Sequence, residues 1–386
     1  MMRKTLFWLH LGAGLAAGAV ILVMSVTGVL LTYERQITEW ADGHRVVPPA
    51  PGAARLGVEA LAARVFEARG AWPSSIALRA DPAAPAAFAF GREVTLFADP
   101  FTGEVLGEGS RTARAFFRTV TDWHRWLGAT GERRGTARAV TGAANLAFLF
   151  LVVSGVYLWW PPSFTPRRLR AITLFTGGLQ GKARDFNWHN VFGFWSALPL
   201  VLVVASGVVI SYPWANAFVQ RLAGGAPDQG GARPGGPQRE VAVPPRSLSG
   251  LDRAWAQAQA EVPGWRSVTA RVPAAPGAPW VFSVDTSTGA RRPDTRTMIT
   301  VDGETGRTLK REGYDAVPAG RKAIGWLRFI HTGEAFGVVG QTIAGLASLG
   351  GVMLAWTGVA LALRRFGAWR RRRERHAGPA TEQAAA

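Results

Sequence analysis

The chain has 386 residues, 48% of them hydrophobic, with 16 Trp, no Cys and a net charge of +18. Without cysteine there are no disulfides, no thiol catalysis and no iron–sulfur ligation, so any redox chemistry needs a bound cofactor. Nucleic acid is a poor match for the positive charge, because much of it flanks apolar segments: Arg3-Lys4, Arg167-Arg168-Arg170 with Lys182 and Arg184, and Arg364-Arg365 with the arginine run 370–373. That is the pattern of cytoplasmic flanks of membrane helices.

Residues 6–33 form the first apolar run, free of Asp, Glu, Lys and Arg up to Tyr33. About 20 residues at ~1.5 Å rise cross a ~30 Å hydrocarbon core, so the run predicts a spanning helix. It is too long for a cleaved signal peptide, and no small-x-small site follows it. Segment 1–34 is therefore read as a retained helix with its N-terminus in the cytoplasm. Segment 35–115 is a Pro/Ala-rich link followed by a small α+β module beyond the membrane: residues 58–69 have helical periodicity, and residues 93–106 alternate like a strand around the turn Asp99-Pro100-Phe101-Thr102-Gly103.

Segment 116–162 is a basic aromatic lead-in followed by a second span over 140–160. Trp159-Trp160 suits a membrane interface, and Pro161-Pro162 stops the helix. A basic cytoplasmic loop, 163–187, precedes a third span at 188–213. Segment 214–322 carries a Gly/Pro-rich linker at 223–238 and a second α+β module. In that module 251–261 reads as an amphipathic helix, 267–272 and 279–285 as strands, and 298–309 as a closing pair around Asp302-Gly303-Glu304-Thr305-Gly306, the Asp-x-x-Thr-Gly spacing of the first module. Segment 323–365 holds the fourth span, 336–363, and 366–386 is a basic cytoplasmic tail.

The third span repeats the first. After His10 and after His189 a Gly follows at four residues (Gly14, Gly193), a hydroxyl-Gly pair at seventeen (Thr27-Gly28, Ser206-Gly207) and a Tyr at twenty-three (Tyr33, Tyr212). Spans two and four also carry such pairs, Ser154-Gly155 and Thr357-Gly358. The predicted fold is thus an α-helical membrane bundle of four transmembrane helices, a tandem parallel duplication about an axis along the membrane normal, with two small α+β modules.

Four histidines occupy matching places: His10 with His189, and His124 with His331. One pair sits at the cytoplasmic ends of spans one and three, the other before spans two and four, and the symmetry puts each pair at one depth. A lone histidine in a membrane usually only hydrogen-bonds to backbone or to Thr and Ser. Four at repeat-related positions point to function, and two imidazoles on facing helices match the axial ligands of one haem iron. Gly14 and Gly193 leave room one turn along the same face. His44 and His376 lie in polar flanks and read as solvent-exposed.

Other chemistries fit poorly. The four apolar spans contain no Asp or Glu for ion or proton transport, the chain has only 5 Met and no Cys for copper, and there is no H-E-x-x-H, dinucleotide fingerprint or P-loop. Electron transfer through haem remains.

One ordered set of residues runs through the chain: Arg3, Trp8-Leu9-His10, Thr27-Gly28, Asp122-Trp123-His124-Arg125-Trp126-Leu127-Gly128, Ser154-Gly155, Trp159-Trp160-Pro161, Asp185, His189, Gly193, His331-Thr332-Gly333 and Phe336-Gly337. In these residues, across 1–366, the chain resembles the PepSY-associated transmembrane family, iron-regulated membrane proteins that include bacterial ferric-siderophore reductases. The α+β modules look like PepSY domains. The resemblance implies a multi-pass inner-membrane protein with both termini cytoplasmic, two b-type haems and electrons passed from a cytoplasmic donor, reduced flavin or a reductase, to a periplasmic ferric chelate such as a siderophore. His10 with His189 and His124 with His331 are then the iron ligands, and Arg125 and Arg328 stand near the outer pair to meet haem propionates or an anionic chelate, or else form part of a basic interfacial belt. The alternative is a signalling or binding protein whose modules regulate or sense periplasmic proteases while the helices serve as anchors.

Overall fold

A computed structural model describes residues 1–377 except 51, 92, 162, 226–247, 274 and 276. Among the described residues four helices are long and apolar enough to cross a membrane: α1 (Met2–Leu31), α5 (Arg133–Trp159), α7 (Gly181–Ser211) and α11 (Gly337–Ala377). The spans foreseen at 6–33, 140–160, 188–213 and 336–363 are all present. Three of the helices run well past their apolar cores, α5 and α7 at their starts and α11 at its end, because helical hydrogen bonding continues into charged sequence once it has begun. On the tail of α11, Arg370 and Glu374 pair one turn apart at 2.9 Å.

Shorter helices connect these spans. After α1 comes α2 (Glu34–Asp42), closed by Gly43 at φ 67°, and then α3 (Val58–Arg69). Next, α4 (Arg111–Trp126) starts where the Ser110 hydroxyl accepts from Ala113 N at 3.2 Å. The link from α5 to α7 is α6 (Pro166–Thr173), and α8 (Pro213–Leu222) follows α7. The second half continues with α9 (Leu251–Ala260) and α10 (Ala319–His331). Most of the Gly/Pro-rich linker foreseen at 223–238 lies outside the described residues, as does the side chain of His376.

The strands are β1 (Ser75–Arg79), β2 (Ala86–Phe90), β3 (Val94–Ala98), β4 (Val105–Glu108), β5 (Ser267–Arg271), β6 (Trp280–Asp285), β7 (Arg296–Val301) and β8 (Thr308–Glu312). They form one antiparallel sheet in the order β4-β3-β2-β1-β5-β6-β7-β8. The two groups of four strands therefore join edge to edge, with β1 on β5 in the register Ile76 opposite Ala270. Both Asp-x-x-Thr-Gly stretches are hairpin turns. Asp99 Oδ1 accepts from Phe101 and Thr102 N, and Asp302 Oδ1 from Glu304 and Thr305 N. Gly103 (φ 76°) and Gly306 (φ 71°) supply the left-handed residue that each turn requires. α3 and α9 cover one face of the sheet, and Leu61, Ile76, Phe88, Leu251, Phe282 and Ile299 are fully buried between them and it.

In the bundle α1 and α7 are each flanked by α5 and α11, so α1 and α7 stand across a diagonal. Both run toward the sheet, while α5 and α11 run away from it. Leu15, Leu198, Leu202 and Leu346 are exposed on the outer surface, the arrangement of helices that meet lipid. α4 packs on α1 and α5, and α10 on α7 and α8, so both short helices end against the sheet-proximal end of the bundle.

Candidate functional site

α4 reaches the bundle because its start is tied to α2. Arg114 makes two bonds to the Asp42 carboxylate at 2.6 and 2.7 Å, and the same carboxylate accepts from Ser110 N at 2.8 Å. Such a forked pair fixes orientation as well as distance. Three residues before the left-handed Leu127 (φ 51°) that ends the helix, His124 projects against α1. On the other side α10 is held by the Trp326 indole N–H donating to the Tyr314 hydroxyl at 2.9 Å and by the Arg296 guanidinium over the Phe329 ring. His331 is its last residue. The rings of His124 and His331 lie with centroids 6.5 Å apart and planes inclined by 60°, and no hydrogen bond joins them.

The other two histidines sit at the opposite end, on the diagonal helices themselves. His10 is on α1 and His189 on α7, each seventeen residues before the hydroxyl-Gly pair of its own helix. At ~1.5 Å per residue the two levels are separated by about 25 Å along the bundle.

Each histidine is received by a hydroxyl-Gly pair on another helix. His10 Nδ1 lies 2.8 Å from Ser154 Oγ of α5, and His124 Nδ1 lies 2.9 Å from Thr27 Oγ1 of α1. In the second half His189 Nδ1 lies 2.9 Å from Thr357 Oγ1 of α11, and His331 Nδ1 lies 3.2 Å from Ser206 Oγ of α7 and 2.8 Å from the Val203 carbonyl. The glycine after each hydroxyl lies against the ring, most tightly at Gly207. A Cβ would stand 3.5 Å from His10 Cε1 at Gly155, 3.7 Å from His124 Cε1 at Gly28, 3.6 Å from His189 Cε1 at Gly358 and only 3.2 Å from His331 Cε1 at Gly207.

All four rings are half-buried and bonded through Nδ1. The two readings of the histidines, bonding to Thr and Ser or ligation, are thus compatible: the bonds occupy one ring nitrogen and leave the other. Among the described residues no three His, Cys, Asp or Glu side chains gather to hold a bare metal ion. The four histidines stand at two levels instead, with the His124 and His331 rings close together at one of them.

Arg125 and Arg328 are exposed on α4 and α10, and the Arg125 guanidinium stacks 4.7 Å over Trp126. His44 departs from its solvent-exposed reading: Nε2 meets the Glu108 carbonyl at 3.2 Å and the ring packs 5.0 Å from Phe97, because α2 delivers it to the edge of the sheet. Gly14 and Gly193 face leucines of the adjacent helix at ordinary contact, Leu151 at 3.8 Å and Leu354 at 3.6 Å.

Buried polar residues add to the constellation. Asn145 of α5 donates to the Val204 carbonyl at 3.2 Å beside Gly207, and Gln341 of α11 donates to the Thr32 carbonyl at 2.7 Å. At the end far from the sheet Asp185 is buried between Arg184 (2.9 Å) and Arg364 (2.8 Å), which ties α7 to α11, and Arg3 bonds the Leu158 carbonyl at 2.7 Å near the end of α5. A polar side chain inside an apolar span was the available signal for Asn145 and Gln341.

No curated protein matches the chain. The model of the PepSY-associated TM region matches residues 7–365, nearly the whole length, and the chain belongs to that family.

Proposed function

We propose that this protein is a dihaem reductase of the bacterial inner membrane that moves electrons from the cytoplasm to periplasmic ferric chelates, siderophores in the first instance. The observation that carries the reading is the 6.5 Å separation of the His124 and His331 rings. Two imidazoles this close on different helices could both bind one haem iron. The donor set fits as well: four imidazoles at two levels, in a bundle interior whose spans carry no acid between them. His124 and His331 would hold one b-type haem at the sheet end, and His10 and His189 the other.

When bound, each haem supplies reversible one-electron exchange between ferric and ferrous iron. The residues of the chain do the rest. α1 and α7 set the two levels about 25 Å apart and so bridge most of a membrane. Their apolar outer faces keep the interior from lipid and water. Arg125 and Arg328, exposed at the sheet end, offer positive charge to propionates or to an anionic chelate. The arginine-rich end, with Arg3, Arg184 and Arg364, is taken as cytoplasmic by the positive-inside rule, which puts both termini there and the sheet in the periplasm. Reduced flavin or a reductase is the donor at that end. The shared element order of the two halves and the four matched hydroxyl-Gly pairs support a tandem duplication with two PepSY-like modules.

The absorption spectrum of purified protein, oxidised and then dithionite-reduced, tests the reading. Two haems per chain with low-spin b-type bands are expected. A colourless protein would contradict it and favour the alternative, in which the modules sense or restrain periplasmic proteases and the helices are anchors.

A further inference from the structure

We infer that Thr27, Ser154, Ser206 and Thr357 are positioning residues that lock all four histidines in the Nδ1–H tautomer, so that each offers the lone pair of Nε2 to a metal. Its use for haem rests on the dihaem reading; the tautomer itself does not.

A hydroxyl has one proton and can accept as well as donate. In each of these four residues a carbonyl of the residue's own helix stands in place to take that proton: Val23 lies 2.7 Å from Thr27 Oγ1, Leu202 2.7 Å from Ser206 Oγ, Met353 2.6 Å from Thr357 Oγ1 and Leu151 3.3 Å from Ser154 Oγ. A proton given to that carbonyl leaves only the oxygen lone pair toward the histidine, and the proton in that contact then belongs to Nδ1. At His331 the assignment has a second support, since Nδ1 also lies 2.8 Å from the Val203 carbonyl, which can only accept. A ring whose Nδ1 carries the hydrogen has its lone pair on Nε2.

A ring edge close enough to bond the hydroxyl lies against the next residue on the same helix. A Cβ there would crowd Cε1 of His331 at 3.2 Å and meet the other three rings at ordinary contact. The hydroxyl orients the imidazole, as outer partners of metal-bound histidines commonly do.

The acceptors are unequal, and the difference separates tautomer control from simple packing. His10 and His189 each have a hydroxyl as the Nδ1 partner, whereas His331 keeps the Val203 carbonyl if its hydroxyl is lost and His124 keeps the Met24 carbonyl. Ser154→Ala and Thr357→Val should therefore lower haem affinity at their own level by ~10–100-fold, the usual loss on removing such a partner, and raise the midpoint potential of that haem alone. Thr27→Val and Ser206→Ala should do much less, and Thr357→Ser should restore wild-type behaviour. Potentiometric titration of the loaded full-length variants reads these effects.

Nitrogen NMR of 15N-histidine-labelled full-length protein made without haem reads the tautomer directly. Four Nδ1–H histidines are expected, with His189 leaving that state in Thr357→Val. Nε2–H rings at these positions, or equal effects of Thr357→Val and Ser206→Ala on the loaded protein, would overturn the inference. Nδ1–H rings in a protein that never takes up haem would uphold it and sink the dihaem reading instead.

Discussion

Between α3, α9 and the sheet the chain buries Phe88, Phe282, Ile76 and Ile299, whereas the buried Ser, Thr, Asn, Gln and Asp side chains among the described residues lie in the helices of the bundle and in α8: Thr27, Asn145, Ser154, Asp185, Ser206 and Thr357 among them. The sheet core is held by removing apolar surface from water. Inside a membrane that drive is absent, because lipid is as apolar as leucine, and helices associate through close packing and interhelical hydrogen bonds. Polar groups in the sheet core would cost stability. In the bundle they receive the four histidines. The two regions should fail in different ways when altered.

Loss of a ligand gives the largest effect. His124→Ala or His331→Ala should each remove the sheet-end haem and spare the other, and His10→Ala or His189→Ala the reverse, so haem per chain falls from two to one while the sheet stays folded. Haem extraction with difference spectra measures this, and two members of one pair acting on different haems would break the pairing. Next comes a cut in the apolar core. Phe282→Ala should cost the sheet ~3–5 kcal/mol, read by thermal unfolding, with the haem bands unchanged.

The smallest effect lies on the rim of the sheet. Glu108 of β4 takes a hydrogen bond from Arg111 of α4, with Arg69 of α3 beside it, and these hold its carboxyl below the usual carboxylate range. Its contribution to stability is present above an ordinary glutamate pKa of ~4.3 and is lost as pH falls through the lowered folded value. Glu108→Gln should thus unfold slightly earlier than wild type at pH 7, with the gap narrowing toward pH 3. An unchanged gap at both pH values would mean that the charge is not what holds this corner.

The same contrast explains what could be read from the sequence. Four spans and four histidines were legible because apolar length and the spacing of His10, Thr27, His189 and Ser206 are properties of single helices. The partners were not. Thr27 meets His124 only because α4 folds back from the sheet, and no local pattern encodes that return. Strand β2, Ala-Ala-Phe-Ala-Phe, is rich in a residue poor at forming strands, and β1 alternates over too few residues to stand out. Both turn motifs were visible, yet the joining of two hairpin sets through β1 and β5 needed a register that only the folded chain supplies.

The central claim is that electrons cross the bundle through both histidine pairs in series. The most direct test uses sealed vesicles of wild-type and His189→Ala protein with reduced flavin inside and a ferric chelate outside. The account predicts that the mutant reduces external chelate far more slowly than wild type, although dithionite added outside still reduces its sheet-end haem. Chelate reduction at the wild-type rate in His189→Ala would contradict it.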